Sequence, residues 1–210
     1  MQEEFDIMYL FFIGGADMDN KAITAGVRVG GLTDRTEIKI LLCYLLSELK
    51  QPITQNQLIE CVCGQELVNY FEMQSALQHL IDNKLIKEDE NGFSILPEGK
   101  DIAKQLESVV SNTVKRYAYT MAVNILQYDA LKKQHKITIS PVEGGGYNLH
   151  CSIEDNDFVI FSFDLVMPDE ESAKFAGEQF ILKGQDIFKC MLGVMTDTPS
   201  MYKDFLKNNI

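Results

Sequence analysis

Through the first two thirds of this chain apolar residues recur at steps of three and four, and after Lys136 they give way to alternating or unbroken β-rich runs. A chain patterned this way packs helices first and a small antiparallel sheet second, which makes it an α+β protein. Residues 33–49 carry the clearest stripe, with Ile38, Leu41, Leu42, Leu45, Leu46 and Leu49 on one helix face and Thr33 or Asp34 as the cap. Gln51-Pro52 stops that helix, and Thr54 opens a shorter one with Leu58, Ile59 and Val62 inward and an end near Gly64. Asn69-Tyr70-Phe71-Glu72 has the form of a capping box, the Asn side chain taking the amide three residues on and the Glu carboxylate reaching back. The third helix that starts there turns Met73, Ala76, Leu77, Leu80 and Ile81 inward. It turns Ser75, Gln78, His79 and Asp82 outward, with Glu72 and Gln74 flanking. Two short extended runs, 85–87 and 93–95, then surround Asn91-Gly92, a strong two-residue turn signal.

After Pro97-Glu98-Gly99 a helix runs to about residue 110, and Ser111 caps another that reaches 131 through Val114, Tyr117, Met121, Ile125 and Leu126. Residues 136–141, 147–153 and 158–167 suggest an antiparallel meander, separated by Gly144-Gly145-Gly146 and Asp155-Asn156-Asp157. A final helix over about 168–195, carrying Phe175, Phe180, Ile187, Phe188, Met191, Leu192 and Met195, covers one face of that sheet. The domain organisation is therefore a leader over 1–31, a helix-turn-helix domain with a hairpin wing over 32–110, and a 111–210 unit. That last unit joins a helical connector to a three-stranded antiparallel sheet and a long C-terminal helix. Within the leader, Gly14-Gly15-Ala16-Asp17 before Met18 has the spacing of an in-frame ribosome-binding site, so an internal start at Met18 is expected and residues 1–17 are set aside.

Several function classes fall away on composition. With 46% of its 210 residues apolar and 24% charged, the chain is no disordered tail, collagen or membrane bundle. Its longest apolar run, residues 7–13, is far short of the ~20 residues of a membrane span. It follows Glu3, Glu4 and Asp6 in place of a basic stretch, so a cytoplasmic protein without a membrane partner is expected. The five cysteines are scattered, and Cys61 and Cys63 would point about 200° apart on a helix, so reduced structural thiols and no metal are expected. No catalytic motif is present, and an enzyme is not expected. His79 is on a helix face, His135 in a linker and His150 in a strand, where the neighbouring Cys151 points to the opposite sheet face. The Gly triplet at 144–146 precedes a strand, whereas a phosphate loop needs a helix after it. No convergent polar set marks a cofactor or small-molecule site.

The run Leu32-Thr33-Asp34 with Glu37-Ile38-Lys39-Ile40-Leu41, then Asn69-Tyr70-Phe71-Glu72-Met73-Gln74, the Gly-containing hairpin and Pro97-Glu98-Gly99-Lys100, together resemble a winged helix-turn-helix family of Gram-positive bacteria catalogued as a domain of unknown function. The resemblance covers roughly 29–195, and Asn-Tyr-Phe is its most specific element. It implies the winged-helix fold and a role in transcriptional control, and no catalytic residues or ligand.

The functional expectation is a regulator binding double-stranded DNA, in which the third helix presents Gln74, Ser75, Gln78 and His79 to base edges and Lys87 of the wing meets phosphate. Lys115, Arg116, Lys132, Lys133 and Lys136 are the densest positive group, read either as a solvated helix face or as a second strip of phosphate contacts. Charge argues the other way. Residues 18–110 hold 9 Lys and Arg against 14 Asp and Glu, a net of −5, and Glu88-Asp89-Glu90 occupies the hairpin tip. The alternative is an acidic winged-helix module that meets a protein partner and does not bind DNA directly. The long apolar helices over 111–131 and 168–195 suit a homodimer reading a two-fold site.

Overall fold

A computed structural model describes residues 20–156 and 158–201, so the Met18 start and the apolar run before it lie outside the described residues. Contacts divide the chain into two units, Met1–Leu126 and Gln127–Ile210. Together they form an α+β protein with six helices and two small antiparallel sheets among the described residues.

In the first unit, helix α1 (Arg35–Leu49) starts where Asp34 accepts hydrogen bonds from the Thr36 and Glu37 N–H groups at 2.8 and 3.1 Å. It is buried nearly all round: Thr36, Lys39, Ile40 and Cys43 are inside along with the expected stripe, because other elements of the unit cover its sides. Helix α2 (Gln55–Leu58) opens on a reciprocal capping box between Thr54 and Gln57 and passes into a π-helical turn, Ile59–Cys63, that buries Cys61 and Val62. Helix α3 (Tyr70–Asp82) is capped by Asn69, whose side chain accepts from the Phe71 and Glu72 N–H groups. Strands β1 (Ile86–Asp89) and β2 (Gly92–Ile95) pair antiparallel with Asp89 opposite Gly92, so the turn residues are Glu90 and Asn91, one position earlier than the sequence suggests. The displacement has a non-local cause. Ile53 forms a bridge to Phe93, with N–H···O distances of 3.1 and 2.9 Å, and Gly92 passes against the Ile53 carbonyl at φ +111°, where a Cβ would collide with that oxygen. Helix α4 (Pro97–Gln105) follows, and helix α5 (Asn112–Gln134) begins in this unit and ends in the next. Part of the stretch read as a leader is tied in as well: the Ala22 N–H donates to the Thr33 carbonyl and the Arg28 N–H to the Glu66 carbonyl, and the Asn20 carbonyl accepts from the Arg35 N–H.

In the second unit, β3 (His135–Pro141), β4 (Tyr147–Asp155) and β5 (Phe158–Met167) form a sheet in that order, with Cys151 opposite both Ile137 and Phe163. Helix α6 (Glu170–Met195), capped by Asp169, lays Ala173, Gly177, Phe180, Ile181 and Gly184 on the sheet. A Cβ at Gly177 would come within 2.9 Å of the Ile137 side chain, so the helix approaches the sheet through its small residues. Phe175, expected inside by its bulk, is 64% exposed, and Met191, Leu192 and Met195 are exposed too. His135 is also relocated. Helix α5 passes directly into β3, so His135 begins the strand, is buried, and places Nδ1 2.6 Å from the Ile181 carbonyl oxygen with its ring 5.5 Å from that of Phe180.

Candidate nucleic-acid interface

Burial of Met73, Ala76, Leu77 and Leu80 fixes the rotation of α3 and leaves Ser75 and Gln78 exposed on its far side, with Gln74 and His79 half-buried beside them. Three of these side chains have their own constraint. Gln78 donates from Nε2 to Asp82 Oδ1 at 2.8 Å, an i,i+4 bond that holds the amide along the helix. Gln74 Nε2 is buried without a hydrogen-bond partner, which leaves a donor to be satisfied. His79 has its ring nitrogens 3.3 and 3.4 Å from the Asn83 amide nitrogen. Burial pulls its pKa down and the Lys39 ammonium acts in the same direction against Asp82, so at neutral pH the ring is uncharged. The outward face of α3 therefore offers amides, a hydroxyl and a neutral imidazole, with donors and acceptors but no cation among the four.

A turn at Asn83 and Lys84 leads from α3 into β1, where Lys87 is exposed. Its ammonium donates to Asp89 Oδ2 at 3.0 Å. That hydrogen bond and the Asn91 N–H bond to the other oxygen hold the Asp89 carboxyl below its usual range. The hairpin cation is thus compensated internally, and Glu88 and Glu90 stand exposed on either side of Asp89. One member of the basic group farther on is turned inward. Lys115 is buried, donating from Nζ to the Glu107 carbonyl and carboxylate at 2.8 and 3.1 Å, with the Tyr44 ring 5.3 Å away. Arg116 is exposed in the same unit, whereas Lys132, Lys133 and Lys136 belong to the second.

Sequence reasoning missed what fixes the start of α3. Glu72 does not reach back to complete a capping box. It is 4% exposed, takes the Arg35 Nε–H on Oε2 at 3.0 Å and the Ile23 N–H on Oε1 at 2.9 Å, while Asn69 Nδ2 donates to the Ala25 carbonyl at 2.7 Å. The partners lie 37 to 49 residues away, a separation that a four-residue motif does not report. Arg28 supports the same segment through the Tyr117 ring, 4.3 Å away, and Tyr117 donates its hydroxyl to Gln65 at 2.8 Å.

Burial pushes Cys43 and Cys61 up to about 12 and Cys63 and Cys151 to about 11, and all five cysteines are free. Among the described residues there is no group of three or more His, Cys, Asp or Glu that could hold a metal, and no helix is long and apolar enough to cross a membrane. No curated protein and no solved structure matches the chain. Residues 38–195, from α1 to the end of α6, match a family described as a domain of unknown function (DUF4364), and the chain belongs to that family.

Proposed function

We propose that the first unit is the winged helix-turn-helix module of a DNA-binding transcription regulator, with α3 as the helix that enters the major groove and the β1–β2 hairpin as the wing. The observation that carries this reading is the two-sidedness of α3. One side is anchored in the core, and the other presents Ser75 and Gln78 between Gln74 and His79, a set suited to base edges. A Gln amide can pair bidentately with adenine N6 and N7. The order of three helices and a hairpin, with Ile53 bridged to β2, supports the same reading. A second copy of the chain would give the module a two-fold site to read.

Titration of the protein against genomic fragments selected at low salt tests the proposal. Gln78→Ala is expected to weaken the selected site by ~1–3 kcal/mol, five- to more than a hundredfold, with nonspecific binding nearly unchanged. Flat titrations at low salt for the parent protein would remove the DNA assignment. They would favour the second reading, an interaction module for a basic protein partner, which the exposed Glu88, Asp89 and Glu90 and the already paired Lys87 support.

A further inference from the structure

Phe71 is a large apolar side chain that neither the core nor the polar set of α3 uses. It is 70% exposed, although it is the second residue of the helix and its N–H is held by the Asn69 side chain at 2.9 Å. The Tyr70 ring meets it edge-on, with centroids 5.5 Å apart and planes at 78°, which braces the exposed ring from one side. At about 100° per residue Phe71 lies about 20° from Gln78 round the helix axis, two turns away on the same line, with Gln74 and Ser75 to either side of it. Phe71 therefore belongs to the face that carries the four polar side chains, at the N-terminal end of α3. In a helix-turn-helix the N-terminal residues of this helix contact base edges.

We infer that Phe71 reads thymine, packing its ring on the 5-methyl group in the major groove. The inference rests on the DNA-binding reading of α3 and names part of the sequence which that helix selects. Its ground is complementarity. In the major groove guanine, cytosine and adenine display hydrogen-bonding groups, and the thymine methyl is the apolar group that a base pair offers there. A ring set against any other base edge would cover polar groups without bonding them, which costs free energy. The neighbours of Phe71 agree in chemistry. Gln74, Ser75 and Gln78 include no Lys or Arg, the residues that pair with guanine, and Gln74, one turn on, has an Nε2 donor without a partner in the free protein. Thymine carries its O4 acceptor beside the methyl, so this donor finds a partner on the same base when the half-buried amide swings out. Phe71 and Gln78 are about 10.5 Å apart along the axis, about three base steps, so the selected site is expected to hold thymine at one position and adenine about three pairs on.

Fluorescence titration of the full chain tests this on a duplex selected from genomic fragments at low salt, with its thymines replaced by deoxyuridine one at a time. Uracil differs from thymine by the methyl alone. At the thymine under Phe71 the swap is expected to weaken binding by about fourfold, the factor that burial of one such group carries. Phe71→Ala is expected to weaken the thymine duplex by at least as much and to bind the thymine and uracil duplexes equally, while Phe71→Leu keeps part of the preference. The side chain is mostly outside the core and alanine is a strong helix former, so the circular dichroism of the parent should be retained. Should the alanine variant fail to fold, the uracil scan on the parent protein decides alone. A parent that binds but tolerates uracil at every position, or a thymine preference that survives Phe71→Ala, overturns the inference and leaves the DNA reading standing. Flat titrations of the parent remove both.

Discussion

Glu72 illustrates how far a short motif reaches. Asn69 followed three residues later by Glu72 predicts a helix start, and the helix does start there with Asn69 as its cap. The carboxylate, however, has stronger partners than a backbone amide of its own turn, namely the Arg35 guanidinium and the Ile23 N–H. The element was legible because its cap is local; the ion pair was not, because it joins residues brought together only by the fold. Burial by itself raises the pKa of Glu72, but the bonds from Arg35 and Ile23 and the charge of Arg35 outweigh it and hold the carboxyl below its ordinary 4.5. A folded-state pKa lowered in this way adds stability that is fully present above the unfolded value and is lost as pH falls through the folded one. Glu72→Gln keeps the shape and removes the charge, and is expected to cost about 1–2 kcal/mol in urea unfolding at pH 7. The gap to the parent should close as pH falls below 4.5 through the lowered folded-state pKa and the parent's own carboxyl is protonated. A gap that stays constant with pH would show that Glu72 acts by shape alone.

At the scale of elements, whatever depends on periodicity was legible and whatever depends on close approach was not. The stripes of α1 and α3 and the three strands of the second unit follow from spacing of apolar residues, and the burial of Met73, Ala76, Leu77 and Leu80 matches the stripe read for α3. Helix α6 was placed correctly, and Phe180, Ile187 and Phe188 of the expected stripe pack into the sheet's core, but Phe175 faces out while the closest approach to the sheet runs through Ala173, Gly177 and Gly184. The hairpin gives the sharper case. Asn91-Gly92 signals a turn, yet Gly92 is needed as the first residue of β2, where the Ile53 carbonyl leaves no room for a Cβ and φ is +111°. Gly92→Ala therefore meets both backbone strain and a collision with main-chain atoms that cannot swing aside. The expected cost is about 2–3 kcal/mol, read as a lower urea midpoint at unchanged slope. If the hairpin turned on Asn91 and Gly92 and Ile53 were not beside it, alanine would cost no more than the ordinary penalty for a positive φ.

At the scale of the whole molecule, a net charge of −12 acts on any polyanion before contact is made. A DNA-binding protein usually gains most of its nonspecific affinity by releasing counterions from phosphates, with an affinity that falls steeply as salt rises. Here the hairpin offers one lysine already paired with Asp89, flanked by two further carboxylates, so few counterions are displaced and the repulsion itself is screened by added salt. The salt dependence of the parent protein is therefore expected to be shallow. Replacing Glu88, Asp89 and Glu90 together by their amides takes the net charge from −12 to −9 and frees Lys87 for phosphate. Affinity should rise most at low salt, where the screening length is longest, and this steepens the slope of log affinity against log salt by about one for each phosphate newly neutralised. Fluorescence titrations of the parent and the triple variant across ~50–200 mM salt, the range over which phosphate contacts dominate, read both quantities at once. Parallel slopes with equal affinities would place the hairpin away from the phosphates and leave α3 alone to carry the interface.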